Sequence, residues 1–152
     1  GNTKITAIRL FSDQLQSISF TVEAEKSTLV KTSHPLQYLY DPDVALTKAG
    51  AFKSVAKEFN LFKLHNHTHL YTTDKLEKDF LGRIFEIQKV YTLSEFKKLN
   101  AFKKANVVSK NFPIKVDEIR KKFKIKDGGK DFLYFVTDHT ENNIVIHCSK
   151  II

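Results

Sequence analysis

Lysine carries the strongest chemical signal in this chain. Lys97, Lys98, Lys103, Lys104, Lys110, Lys115, Lys121 and Lys122 fall in one short stretch with Arg120, followed by Lys124 and Lys126. Binding a polyphosphate needs several cations on one face, because each neutralised phosphate releases condensed counterions. Asn111 and Phe112 stand among these charges, an amide and a ring suited to base contact or stacking. Part of the charge has a local explanation. Lysines in a last helical turn offset the dipole, Asp117 and Glu118 do the same in a first turn, and Glu118–Lys122 is an i,i+4 pair. Those terms leave most of the excess unexplained.

Two weaker constellations precede it. His65, His67 and His69 would share a face of an extended chain and could hold Zn²⁺ with one position open. Asn66 and Thr68 favour a turn, which would scatter the rings into a polar bend. Lys48-Ala49-Gly50 sits on a helical pattern that Gly50 interrupts, where freed backbone N–H groups could meet an anion or the helix could simply bend. No catalytic set is evident. There is no Gly-rich phosphate loop, and Gly128-Gly129 follows a helical pattern instead of a strand. His147 and Cys148 are strand neighbours that point to opposite faces, and the carboxylates form no acid/base pair.

The charge is lopsided along the chain. Gly1–Phe80 holds 10 Lys and Arg against 9 Asp and Glu, while Leu81–Ile152 holds 15 against 8, a net of +7 out of +8. Such asymmetry points to a polyanionic partner for the second half. With 152 residues, 41% hydrophobic content and 13 Phe, the chain can build a core despite 28% charged residues. No run approaches the ~20 apolar residues of a membrane span, and a membrane-surface role lacks the exposed aromatic helix face it needs. One cysteine excludes an internal disulfide and fits a reducing, cytoplasmic setting. The start at Gly1 and the absence of Met read as an excised fragment with a tag remnant.

Alternation predicts strands over 3–11 and 17–23, with a polar connector over 25–35. Asp41-Pro42-Asp43 predicts a helix start, with Asp41 as N-cap and Pro42 in the first turn. The helix carries Val44, Leu46, Phe52, Val55, Ala56 and Phe59 and is bent or split at Gly50. Short strands follow over 61–64 and 69–72. Beyond them the reading is strand 83–91, helix 94–105 capped by Ser94, strand 106–109, a helix introduced by Pro113, a turn over 126–130, and a hairpin of 132–137 with 143–148. This is an α+β pattern.

These residues carry a resemblance. Tyr38-Leu39-Tyr40-Asp41-Pro42-Asp43, Lys48-Ala49-Gly50-Ala51-Phe52, Leu64-His65 and His69-Leu70-Tyr71-Thr72 resemble a ferredoxin-like module of bacterial class I S-adenosylmethionine-dependent methyltransferases. Gly82-Arg83-Ile84-Phe85-Glu86, Asn111-Phe112-Pro113, Glu118-Ile119-Arg120-Lys121-Lys122 and Lys126-Asp127-Gly128-Gly129 resemble the THUMP-like domain at their C-terminus. The matches span 36–150; the first 35 residues add little. The resemblance implies two α+β modules, 1–80 ferredoxin-like and 81–152 THUMP-like, each a small sheet with helices on one side. It implies an RNA-binding region, for tRNA or rRNA, of an RNA methyltransferase whose N-terminal catalytic domain holds S-adenosylmethionine. The chain lacks that domain's Gly-rich loop, so no cofactor, metal or catalytic residue is expected here. It adds Lys48 and Gly50, and supports Lys110, Asn111 and Arg120, as RNA contacts. Rival readings are a module that docks on its own catalytic domain without touching RNA, and a metal-dependent hydrolase at the histidine run.

Overall fold

The computed structural model describes residues 3–152; Gly1, read above as a tag remnant, lies outside them. The chain begins with a hairpin of β1 (Lys4–Phe11) and β2 (Gln14–Thr21). Alternation sorts it as expected: Ala7, Ile18 and Phe20 are buried, and Ile8 and Leu10 point outward. The expected connector opens with a helix, α1 (Val22–Ser27), capped by the Thr21 side chain.

β3 (Tyr38–Pro42) corrects the expected helix start. Asp41 and Pro42 pair with Arg83 and Gly82 in the sheet, and the N-cap is Asp43, whose carboxylate accepts from the Ala45 N–H at 3.0 Å. α2 (Val44–Ala49) and α3 (Phe52–Glu58) then meet at Gly50, the split that the sequence suggested. β4 (Phe62–His65) and β5 (Thr68–Thr73) form a tight hairpin.

β6 (Gly82–Thr92) leads to α4 (Leu93–Leu99), whose cap is Thr92 in a capping box with Glu95, where Ser94 was expected. Asn100, in the left-handed region at φ 45°, ends α4 several residues early. β7 (Lys104–Lys110), α5 (Val116–Phe123), β8 (Lys126–Thr137) and β9 (Asn143–Lys150) complete the chain. The expected turn over 126–130 is strand. β8 accommodates Gly128 and Gly129 in a bulge, since Ala105 pairs with Asp127 and Asn106 with Phe132.

β3 to β5 of the first module and β6 to β9 of the second join in one seven-stranded sheet, ordered β4-β5-β3-β6-β9-β8-β7, while β1 and β2 form a separate two-stranded sheet. Only β7 and β8 run parallel, joined through α5. One face carries all the helices. α2, α3 and the β1–β2 hairpin pack on Tyr40, Tyr71 and Ile84, and α4 and α5 pack on Leu133, Phe135 and Val145. The other face curls on itself. Leu64 and Leu70 meet Tyr134 and Val136 across it, and Thr68 Oγ1 donates to the Thr137 carbonyl at 2.7 Å.

Candidate nucleic-acid interface

A parallel β7–α5–β8 unit forces one placement. The C-terminus of α5 must lie at the amino ends of β7 and β8, and α4 enters β7 from the same end. The last turn of α4 supplies Lys97 and Lys98, and the last turn of α5 supplies Lys121 and Lys122. Lys103 and Lys104 stand where β7 begins; Lys104 pairs with Lys126, and the Lys126 N–H donates to the Lys103 carbonyl at 2.8 Å. These side chains are all exposed.

A cavity of about 380 Å³ lies between the two helix ends, lined by Lys97, Asn100, Lys122, Phe123 and Lys124. Lys122 Nζ stands 5.9 Å from the Phe123 ring. Among the described residues the ion pairs are Arg9–Asp43, His65–Glu141, Arg83–Asp41, Lys110–Asp41, Arg120–Asp127 and His147–Asp131. None of them engages a lysine of this surface. Lys124, Lys126 and Phe123 were absent from the expected contacts. Lys124 at φ 56° caps α5 in a left-handed conformation that no propensity favours for Lys.

The remaining candidates divide by what already holds them. Lys110 and Asn111 lie at the opposite end of β7. Lys110 Nζ meets Asp41 Oδ1 at 2.6 Å, and Asn111 Nδ2 donates to Thr68 Oγ1 at 3.1 Å. Lys115 precedes α5 at that same end, exposed. Arg120 belongs to the fold: its guanidinium donates to the carbonyls of Ala105 and Ile125 and, at 2.9 Å, to Asp127. Phe112 packs edge-on against Phe135, with centroids 5.6 Å apart, so it is core and not a stacking platform.

Lys48 is exposed on α2, in the other module. Gly50 has no anion-binding N–H to give. At φ 74° it is the C-cap of α2, and its N–H donates to the Thr47 carbonyl at 3.1 Å. The anion at this break is internal: the Glu25 carboxylate of α1 accepts from the N–H groups of Lys53 and Ser54 at 2.9–3.1 Å.

The histidine run is scattered, as a turn demands. His65 Nε2 contacts Glu141 Oε1 at 2.5 Å, while its Nδ1 accepts from the His67 N–H at 2.9 Å. His69 stacks on Phe52 at 3.6 Å and faces Lys63 Nζ at 3.0 Å through Nδ1. Burial, then the Lys63 charge, push His69 down to about 4. Burial also lowers Lys63 to about 8, with Lys53 adding to it and Glu25 opposing. No group of three potential metal ligands exists among the described residues.

Asp41 is the buried centre of the concave face. It accepts from Arg83 Nη2 at 2.7 Å, Tyr134 Oη at 2.6 Å and Lys110 Nζ. Burial alone would raise its carboxyl. The Lys110 charge and the hydrogen bonds from Lys110, Tyr134 and Arg83 outweigh that and hold it below the usual range. Burial and the adjacent carboxylate push the Tyr134 phenol far up, so it stays a donor. The sequence pointed to none of this, because Arg83 reaches Asp41 through strand pairing and Lys110 and Tyr134 reach it only as the sheet curls.

Residues 38–80 match a family described as a ferredoxin-like domain, and residues 82–150 one described as THUMP domain-like. No curated protein matches. A crystal structure of a "putative methyltransferase" from Porphyromonas gingivalis W83 superposes with a TM-score of 0.92 at 34% identity, over 98% of this chain and 38% of that one. This chain therefore spans well under half of that protein's length. Residues 38–80 thus form a ferredoxin-like domain and residues 82–150 a THUMP-like domain, joined through a shared sheet.

Proposed function

We propose that this chain is the RNA-binding region of a larger S-adenosylmethionine-dependent methyltransferase and presents a structured RNA, tRNA or rRNA, to a catalytic domain elsewhere in that protein. The observation that carries it is the convergence of Lys97, Lys122 and Lys124 on one cavity, extended by Lys103, Lys104 and Lys126, none of which takes part in the ion pairs given above among the described residues. Three ammonium groups around one concavity suit a phosphate, and the remaining lysines track a backbone without reading sequence. Phe123 and Asn100 offer a ring edge and an amide to a nucleotide held there. The methyl donor belongs, in this reading, to the rest of the larger protein. Gly50, Gly82, Gly128 and Gly129 serve a helix cap, a strand start and a strand bulge, and they form no strand–loop–helix cradle. No helix is long and apolar enough to cross a membrane among the described residues.

The test is RNA affinity against salt. Substituting Lys97→Gln, Lys122→Gln and Lys124→Gln together should weaken binding and lower the salt slope by about 2 units, at roughly 0.7 to 0.9 per phosphate contact. Lys57→Gln, exposed in the last turn of α3 on the other module, should leave both unchanged. Equal effects from the two sets would overturn the assignment. A second reading, docking on the remainder of the larger protein, is favoured by one observation: the β1–β2 hairpin exposes Ile8, Leu10 and Leu15.

A further inference from the structure

A second cavity, of about 530 Å³, shares no lining residue with the cavity of the lysine surface. Arg83 at the start of β6, Lys110 at the end of β7 and Arg9 of β1 line it with the carboxylates of Asp41 and Asp43, so its three cations exceed its acids by one. Pro42, Val44 and Val108 add apolar lining, and Thr47 is exposed. The volume lies in the range of small-molecule sites, roughly 300 to 1,000 Å³.

The charges are arranged for an anion. Asp41 is 5% exposed, and its oxygens are taken by Lys110, Arg83 and Tyr134. It fixes the two cations in place and leaves them one positive charge in excess. Each keeps donors to spend: a guanidinium has five N–H groups and an ammonium three, and each gives one to Asp41. Their side chains are 42% and 27% exposed, so these donors reach the cavity. Arg9 is 9% exposed, its Nε donating to Gln16 at 2.7 Å, its guanidinium 4.4 Å from the Phe11 ring and one end 3.7 Å from Asp43; its Nη2 keeps donors for the cavity it lines. A structural staple would need neither an open cavity nor a third cation lining it.

We infer that this cavity binds a phosphate monoester, with Arg83, Lys110 and Arg9 on the phosphate and Val44 and Val108 against the organic part. The site is separate from the lysine surface and does not depend on its assignment. A fork-shaped guanidinium and an ammonium together match a tetrahedral dianion better than either does alone. The phosphate could come from a mononucleotide or from the 5′ end of an RNA.

The test is titration of the ¹⁵N-labelled chain with inorganic phosphate, carried out in the Lys97→Gln, Lys122→Gln, Lys124→Gln background. The amides of Thr47, Gly82 and Arg83 should shift saturably. Lys110→Gln and Arg9→Gln should each weaken that binding about tenfold, as expected for one lost charge-assisted hydrogen bond. Arg9 lies outside the Asp41 cluster, so its variant carries the test should Lys110→Gln fail to fold. Adenosine should shift nothing. Tighter binding of adenosine 5′-monophosphate would mark a small ligand, and tighter binding of a 5′-phosphorylated oligoribonucleotide than of its 5′-hydroxyl form would mark an RNA end. No saturable shift at these amides, shifts insensitive to Arg9→Gln, or equal shifts with adenosine would overturn the inference.

Discussion

Asp41 shows how a single residue sets both stability and chemistry. It is a carboxylate inside a curled sheet, and only three donors make it tolerable there. Asp41→Asn keeps the shape and removes the charge, leaving two cations to find water. Truncating one partner of a buried ion pair costs 3 to 5 kcal/mol; because Arg83 and Lys110 are partly exposed, about 3 kcal/mol is expected by urea unfolding. The folded carboxyl titrates below its unfolded value, so its contribution is present at neutral pH and is lost as pH falls through the folded value. His69 behaves similarly for another reason. Burial against Phe52, with Lys63, Lys110 and His67 nearby, keeps its ring neutral down to about 4. The unfolded chain takes up that proton near 6.5. Stability should therefore fall as pH drops from about 6.5 to about 4. An NMR titration of the ring carbons should show no protonation of His69 above pH 5 or so.

At the scale of elements, the break between α2 and α3 is the clearest case of sequence and structure agreeing. Gly50 takes φ 74°, where a Cβ meets no atom within 4 Å but the backbone conformation is strained. Gly50→Ala should cost about 1 kcal/mol for that reason alone. Glu25→Ala should cost a similar amount, about 1 kcal/mol, by uncapping α3, and should loosen α1, which hydrogen exchange at Lys53 and Ser54 would register. Gly82 is different: a Cβ there would lie 2.2 Å from the Asp41 carbonyl oxygen, so Gly82→Ala forces β3 and β6 apart. The local signals were legible because they are local, as with the strands of the hairpins, the Gly50 break and the order β6-α4-β7-α5-β8-β9. The misreadings share a cause. The sequence places the cap at Asp41, but cross-strand pairing of Asp41 and Pro42 with Arg83 and Gly82, which periodicity does not show, leaves Asp43 as the cap. The polar, Gly-containing 126–130 segment reads as a turn because nothing in it signals a parallel partner. The lysines themselves were visible. Their convergence was not, since it follows from the parallel crossover that brings two helix ends together, and the roles of Arg120 and Lys110 as internal ties follow from the same non-local packing.

Across the whole molecule, the lysines gather where α4 and α5 end, while the β1–β2 hairpin presents a cluster of exposed apolar side chains, Ile8, Leu10, Phe11 and Leu15. Leu10 faces Leu15 across the hairpin, and Ile8 lies two residues along the same face. They are 68%, 75% and 54% exposed. The opposite face of the hairpin, with Ala7, Ile18 and Phe20, is already spent on the core. Contiguous exposed apolar groups mark interaction surfaces. The structurally similar protein has more than half of its length outside the matched region. In the reading proposed above, the remainder of a larger protein would cover the hairpin while the lysine surface holds RNA. Leu10→Ser with Leu15→Ser tests the division. Both side chains point away from the core, so the isolated chain should keep its melting temperature and its RNA affinity. In the full-length protein the same pair should split one thermal transition into two, because the region no longer draws stability from its neighbour. A single unshifted transition would leave the hairpin without that role, and a loss of RNA affinity in the isolated chain would place the hairpin on the nucleic-acid side instead.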